Sequence, residues 1–189
     1  MTAPGQPPYP HVHQINVSDG GVPKLPVLEA VIATTGVLGD RQRNLKFHGG
    51  LDRAVCLFSQ ELIERLQDEG HSLEAGSSGE NLTLAGLDWE KLKLGARLQI
   101  GPDVRIEIMS YTVPCDKNAR WFRDGDFKRV SQKMNPGWSR LYARVLVEGV
   151  VRPGDAVVVE QEGAGRRGIV VRIGPRGSRR VHGQQVVGT

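Results

Sequence analysis

Short apolar segments separated by glycine- and proline-containing turns are the feature that most restricts the fold of this chain. Strand-like segments are predicted at residues 12–17, 27–33, 54–58, 82–84, 96–100, 104–109, 138–147 and 150–159, the last of these with a turn at residues 153–154. They follow one another too closely for regular strand–helix–strand units, and 24 glycines favour tight turns over long helices. The pattern therefore predicts a mainly β fold, and a closed, mostly antiparallel barrel accommodates it.

One amphipathic helix is predicted at residues 60–69. Ser59 is a favourable N-cap, and Gly70 suits the position just beyond the end of a helix. Two shorter helical pieces are predicted at residues 119–122 and 127–134. Helices are thus minor elements of the predicted fold.

The composition is that of a soluble globular domain, with 39% hydrophobic and 24% charged residues. We expect a flexible N-terminus at residues 1–11, one folded domain at residues 12–162 and a basic extension at residues 163–189. The formal net charge of +4 is concentrated in the extension, where residues 166–180 contain six arginines and no acid. An anion-binding site in the folded domain would therefore have to be local.

The two cysteines, Cys56 and Cys115, lie far apart in the sequence and do not suggest a disulfide scaffold. Residues 1–10 lack the apolar core of a signal peptide, and no apolar run approaches the roughly 20 residues of a membrane span. We therefore expect a reduced, cytoplasmic protein. Cys56 lies within the predicted strand 54–58, and we interpret it as a structural residue.

Cys115 lies in a loop, residues 113–118, that precedes a stretch rich in arginine, lysine and aromatic residues. Nearby cations favour the thiolate, the form of cysteine that binds soft metals or attacks electrophiles. A structural cysteine is the alternative, because free cysteine often behaves as a small buried hydrophobic residue. The loop alone does not decide between the two.

Two glycine-rich loops are candidate ligand-binding segments. In residues 18–24, Gly20 and Gly21 permit positive φ, so successive backbone N–H groups could bind an anion beside Lys24. An ordinary glycine turn is the alternative. The second loop, residues 36–53, is too long and glycine-rich for a simple hairpin connection, and loops of this length are usually functional or disordered.

Taken in order, these segments resemble the bacterial stand-alone members of the MOSC domain family, named after the C-terminal domain of molybdenum cofactor sulfurases. The resemblance extends from about residue 12 to residue 159, and the basic extension falls outside it. Short motifs carry it, at residues 18–24, 39–40, 48–50, 52–55, 79–82, 94–95, 114–115, 148–149 and 154–155. They resemble the branch of small bacterial proteins linked to detoxification of N-hydroxylated bases.

The resemblance implies a closed, mainly antiparallel β-barrel similar to the β-barrel domain of pyruvate kinase. It implies a site for the pterin-type molybdenum cofactor and reduction of N-hydroxylated compounds such as 6-hydroxylaminopurine, with electrons from a separate flavoprotein. Pyridoxal phosphate binding and a homodimer are further family-level expectations. Cys115 matches the family's catalytic cysteine, the protein ligand of molybdenum, and thiolate suits that soft-ligand centre.

Six polar residues are candidates to bind such a cofactor by their chemistry: Ser18, Lys24, His48, Arg53, Glu80 and Asn81. Lys24 and the glycine turn beside it would bind the cofactor phosphate, and Arg53 or Arg41 would add a planar donor.

Asn81 has the donors and the acceptor to bind a pterin edge. Glu80 and His48 would orient neighbouring groups or transfer protons. Both have structural alternatives: Glu80 would accept backbone N–H bonds before a strand, and His48 would stabilise its glycine turn.

Two functions of other classes stay open on the residues alone. A non-catalytic carrier would bind the cofactor, or sulfur, and transfer it without turning over a substrate. A nucleic-acid-binding module would use the arginines of residues 163–189, but no aromatic stacking pattern accompanies them. We therefore favour the reductase, with neither a membrane nor nucleic acid as partner.

Overall fold

Eleven strands and one α-helix form the part of the chain that this computed structural model describes, residues 7–42 and 49–160. The strands are β1 (His11–Val17), β2 (Leu25–Val27), β3 (Ala30–Ala33), β4 (Gly36–Val37), β5 (Val55–Ser59), β6 (Leu82–Ala85), β7 (Arg97–Ile100), β8 (Val104–Tyr111), β9 (Leu141–Val147), β10 (Gly149–Val151) and β11 (Val157–Glu160). The helix is α1 (Gln60–Asp68), and short 3-10 helices lie at Leu51–Arg53, Trp89–Lys91, Asp116–Trp121, Arg123–Gly125 and Phe127–Val130. The predicted mainly β fold with few helices is confirmed.

Eight of these strands form one sheet, in the order β11-β7-β8-β9-β5-β6-β1-β2, and β10, β3 and β4 form a second sheet. Among the described strands, every neighbouring pair is antiparallel except β5 and β6, which are parallel. A parallel pair needs a crossover connection, and α1 lies in the segment that supplies it.

The main sheet curls so that β1 approaches the start of β11, although the two are far apart in the strand order. A bridge joins His11 to Ala156. The Val12 N–H donates to the Asp155 carbonyl at 2.9 Å, and the Gly154 N–H donates to the Val12 carbonyl at 2.8 Å. One bridge is less than a ladder of paired residues, so the closed barrel stays a prediction.

The hydrophobic core follows from the period-two pattern of strands such as β8. Val104, Ile106 and Ile108 are fully buried, whereas Arg105 and Glu107 between them are only partly buried. The central strands β5 and β6 are buried along their whole length, and α1 packs against both. The core therefore fixes the strands that flank the loops with the predicted site residues, namely β1, β5, β6, β8 and β9.

The helix α1 begins and ends where its capping residues predict. The Ser59 hydroxyl accepts a 3.2 Å hydrogen bond from the Leu62 N–H. Leu62, Ile63 and Leu66 are buried on its apolar face, and Gly70 has a φ of 87° just beyond its end. The predicted helix is confirmed, with its last residue at Asp68.

One predicted strand, residues 27–33, is wrong in its extent, because the chain changes sheet within it. These residues divide between β2, which pairs with β1, and β3, which pairs with β10 and β4. Leu28, between them, is 89% exposed. The turn predicted at residues 153–154 is confirmed: it separates β10 from β11, and Gly154 has a φ of 90°.

The predicted helical pieces after Cys115 are 3-10 helices rather than α-helices. Asp124 has a φ of 58°, in the left-handed region, and this interrupts the run of helical turns between Asp116–Trp121 and Phe127–Val130. Within residues 7–42 and 49–160, no helix is both long enough and apolar enough to cross a membrane. His48 and the basic extension at residues 163–189 lie outside the described residues.

Candidate functional site

A cavity of about 590 Å³ lies where the loop after β1, the loop before β6 and the loop between β8 and β9 converge. Its volume falls within the range of small-molecule sites. Five of its lining residues are basic: Lys24, Arg41, Lys117, Arg120 and Arg140. No Asp or Glu lines it within the described part of the chain. We call it the cationic cavity, and cations that surround a concave site in this way focus a positive potential on an anionic ligand.

The Asp40 carboxylate organises one wall of the cationic cavity from behind. It forms a buried ion pair with Lys24, and the two side chains are 2% and 8% exposed, respectively. Asp40 also accepts hydrogen bonds from the Ser18 backbone N–H and the Asn81 side-chain amide, each at 2.9 Å. Three of the residues predicted to bind the cofactor therefore converge on Asp40, which our sequence analysis noted only as part of a motif.

Asn81 lines the cavity, and most of its hydrogen-bonding capacity is used within the protein. Its side-chain oxygen accepts a 3.1 Å bond from the Cys56 N–H, and its amide donates to Asp40. The side chain is buried, with 2% of the residue exposed. Its position on the wall is therefore set by two neighbouring segments of the protein.

Ser18 and Glu80 do not line the cavity, but each supports a loop that does. The Ser18 hydroxyl donates to the Gly21 carbonyl at 3.0 Å, and Gly21 has the predicted positive φ, 104°. The fully buried Glu80 carboxylate accepts bonds from the Gly76 N–H at 2.6 Å and the Ser78 hydroxyl at 3.0 Å. Glu80 thus accepts a backbone N–H bond, which is the structural role considered for it above. It lies behind the residues that line the cavity.

Arg140 is a buried cation that our sequence analysis missed. It is 5% exposed, donates from Nη1 to the Ser78 carbonyl, and lies 3.9 Å from the Cys56 sulfur. Its Nε is buried without a hydrogen-bond partner, and none of the ion pairs among the described residues includes it. A buried charge without a carboxylate is costly, so an anionic ligand is the partner that its environment lacks.

A sequence signal for Arg140 did exist. Residues i and i+2 of a strand share a face, so Arg140 points to the same side as the buried Tyr142 at the start of β9. An arginine next to a buried apolar strand indicates either a paired charge or a ligand site. Only the contacts of Arg140 in the folded protein distinguish a paired charge from a ligand site.

Cys115 immediately precedes the 3-10 helix Asp116–Trp121 and is half-buried in the wall of the cationic cavity. Its sulfur lies 3.5 Å from an Asp116 carboxylate oxygen. Cys56 lines the same cavity and is buried, as expected for a structural residue, and burial raises the pKa of its thiol. Cys115 is therefore the more accessible of two thiols that face one cavity, and both are free.

Arg53 lies apart from the residues around Asp40. It ends the exposed 3-10 helix Leu51–Arg53, and its guanidinium lies 6.0 Å from the centre of the Tyr142 ring. It lines a second cavity of about 580 Å³ that also includes Cys115 and Tyr142. The predicted donors Lys24 and Arg53 thus belong to different cavities, with Cys115 common to both.

Known proteins are similar to this chain in sequence and in fold. The model of the MOSC domain matches residues 44–158. YflK of Bacillus subtilis is 33% identical over 158 residues, 82% of this chain and 69% of YflK. YiiM of Escherichia coli is 27% identical over 144 residues, and the match covers 64% of that protein.

Solved structures show the same fold. The crystal structure of YiiM from Geobacillus stearothermophilus has a TM-score of 0.63 at 26% identity, covering 82% of this chain and 77% of that one. YiiM from Escherichia coli has a TM-score of 0.60 at 20% identity, covering 82% and 72%, respectively. The family model spans more than half of the chain, and we conclude that this protein belongs to the MOSC domain family.

Proposed function

We propose that this protein binds the pterin-type molybdenum cofactor in the cationic cavity and reduces N-hydroxylated compounds. One observation carries the proposal: a cavity with five basic residues and no acid among its described lining residues has a half-buried thiol, Cys115, in its wall. A phosphate-bearing group requires the cations, and a soft-ligand metal centre requires the thiolate.

The residues present fit such a group on independent structural grounds. The buried Arg140 has an unpartnered Nε and no carboxylate, and a cofactor phosphate would supply the missing acceptor. Gly79 could not become alanine without movement, because a Cβ there would lie 2.9 Å from Val22 Cγ1. Gly79 also lines the cavity and has no side chain, so its backbone is open to a ligand there.

In this proposal Arg140 and the Gly20–Gly21 turn hold the phosphate, and Cys115 ligates the metal. The Lys24–Asp40 pair and Asn81 keep one wall of the cavity in place. When bound, the cofactor supplies the two-electron chemistry, and the protein supplies binding and orientation.

The overall reaction is balanced by two electrons and two protons. The N–O bond of a hydroxylamine breaks, its nitrogen is reduced to an amine, and the oxygen leaves as water. We infer a separate flavoprotein as the electron donor, because the sequence resembles members of the family that depend on one.

We further propose that residues 12–162 form the MOSC domain, that its main sheet closes through the β1–β11 approach, and that residues 163–189 are a basic extension. Two free thiols favour a reducing, cytoplasmic environment.

The decisive experiment is metal analysis of full-length protein made in cells that synthesise the cofactor. We expect about one molybdenum per chain in the wild type and loss of the metal in Cys115→Ala. Cys56→Ala is the matched control, because Cys56 faces the same cavity but its burial favours the neutral thiol. Stoichiometric molybdenum in Cys115→Ala would remove Cys115 as the ligand.

An activity assay separates the reductase from the carrier. Loaded protein, a flavin reductase, NADH as the source of electrons and 6-hydroxylaminopurine should yield adenine and water. Stoichiometric molybdenum without turnover, over a range of reductases and N-hydroxylated compounds, would instead favour the carrier.

A further inference from the structure

The second cavity, of about 580 Å³, differs in chemistry from the cationic cavity beside it. Three aromatic side chains line it, Tyr111, Phe127 and Tyr142, and we call it the aromatic cavity. Val113 adds an apolar side chain that is 82% exposed. Ligand sites of this kind combine apolar and aromatic walls with a few polar groups that fix orientation.

The charged groups of the aromatic cavity are few and of opposite sign. Within the described residues, Arg53 and Asp116 are its lining residues with formal charges. The cationic cavity has five basic residues and no acid in the same described part of the chain. An anionic cofactor is therefore favoured in one cavity, and a neutral, planar molecule in the other.

Cys115 and Tyr142 lie in the wall that the two cavities share. A group held by the Cys115 sulfur can thus be approached from the aromatic cavity while a phosphate occupies the cationic cavity. Resting on the function proposed above, we propose that the aromatic cavity is the substrate site and binds neutral, planar N-hydroxylated heteroaromatic bases. Phe127 and Tyr111 provide faces on which the base stacks, and Asp116 accepts hydrogen bonds from its N–H or hydroxyl groups.

The test measures binding of 6-hydroxylaminopurine to full-length protein as purified, by calorimetry without an electron donor. Molybdenum is measured on the same samples. Phe127→Leu keeps apolar volume but removes one aromatic face, and should weaken binding about tenfold. Val113→Trp places a large ring in the cavity from an exposed position and should abolish binding.

A control at a distant position isolates the cavity from general effects. Leu94→Trp adds the same ring at another exposed position, 51% exposed and outside the lining of the aromatic cavity, and should leave binding unchanged. In loaded Val113→Trp, KM should rise while the molybdenum content stays at the wild-type level.

The outcomes separate this inference from the proposed function. Purine binding that both cavity variants weaken, in protein without molybdenum, would support the substrate site and contradict cofactor binding. Molybdenum-loaded protein that binds no purine, or binds it equally well in Val113→Trp, would overturn the substrate site and leave the proposed function standing.

Discussion

The Asp40 carboxylate accepts a 2.9 Å hydrogen bond from the Asn81 side-chain amide while it forms a buried ion pair with Lys24. These residues come from three loops that are distant in sequence. A substitution at Asp40 would therefore affect both Lys24 and Asn81, which lies in the loop before β6.

Asp40→Asn should destabilise the protein by about 3 kcal/mol, because it leaves the Lys24 cation buried without its carboxylate. The free energy of unfolding in urea measures the loss. Asp19→Asn is the matched control: the Asp19–Arg41 pair is 3.3 Å long and its side chains are 91% and 75% exposed. We expect that variant to lose less than about 1 kcal/mol. Equal losses in the two variants would contradict a buried pair at Asp40.

Arg140→Met should leave the apo-protein almost as stable as the wild type, within about 1 kcal/mol. The variant loses the hydrogen bond to the Ser78 carbonyl but also removes a buried charge that lacks a carboxylate partner. Inorganic phosphate should raise the melting temperature of the wild type and not that of Arg140→Met. A phosphate shift of equal size in both would show that Arg140 does not bind the anion.

Cys115 should react with iodoacetamide well before Cys56 in the folded, cofactor-free protein. Cys56 is buried, and its burial raises the pKa of the thiol, so little reactive thiolate forms. Mass spectrometry of digested samples identifies the modified residue. The fast phase should disappear in Cys115→Ala and persist in Cys56→Ala; the reverse pattern would place the accessible thiol at Cys56.

Gly21→Ala should cost about 1 kcal/mol of stability and also lower molybdenum loading. Gly21 has a φ of 104°, and a Cβ there would meet no atom within 4 Å, so the cost comes from the backbone alone. Gly95→Ala is matched, with a φ of 85° and equally open space, but it does not line the cationic cavity. It should lose similar stability and keep its metal. Equal molybdenum in both variants would argue against a role for the Gly20–Gly21 turn.

The Glu69–Arg129 pair should contribute a pH-dependent part of the stability. Arg129 donates two hydrogen bonds to the Glu69 carboxylate, at 2.8 and 2.7 Å, and these lower its pKa. A lowered folded-state pKa stabilises the protein above the unfolded pKa, about 4.3, and this contribution is lost as the pH falls through the folded pKa. Because the Glu69 side chain is 38% exposed, we expect about 1 kcal/mol or less.

Unfolding of Glu69→Gln from pH 7 to pH 2.5 tests this expectation. The difference from the wild type should be largest near neutral pH and should vanish at acidic pH. Glu90→Gln is the control, because the Arg65–Glu90 pair is 4.0 Å long and more exposed. A difference for Glu69→Gln that does not change with pH would contradict the paired carboxylate.

Local patterns predicted the elements whose shape depends on nearby residues. The alternation in β8 and the capping residues Ser59 and Gly70 of α1 belong to this class. Residues 27–33 do not, because a continuous apolar run looks the same whether the chain stays in one sheet or changes to another. The partner strand decides, and it lies far along the sequence.

The sequence by itself determined a mainly β domain with one capped helix, and it singled out Cys115 and Lys24. Only the tertiary structure decided that Lys24 pairs with Asp40, that Arg140 is buried without a carboxylate, and that Cys115 lies between two cavities of opposite character. The physical reason is that charge pairing and burial are set by contacts between distant segments. Residue type and local spacing determine only which side chains are available for those contacts.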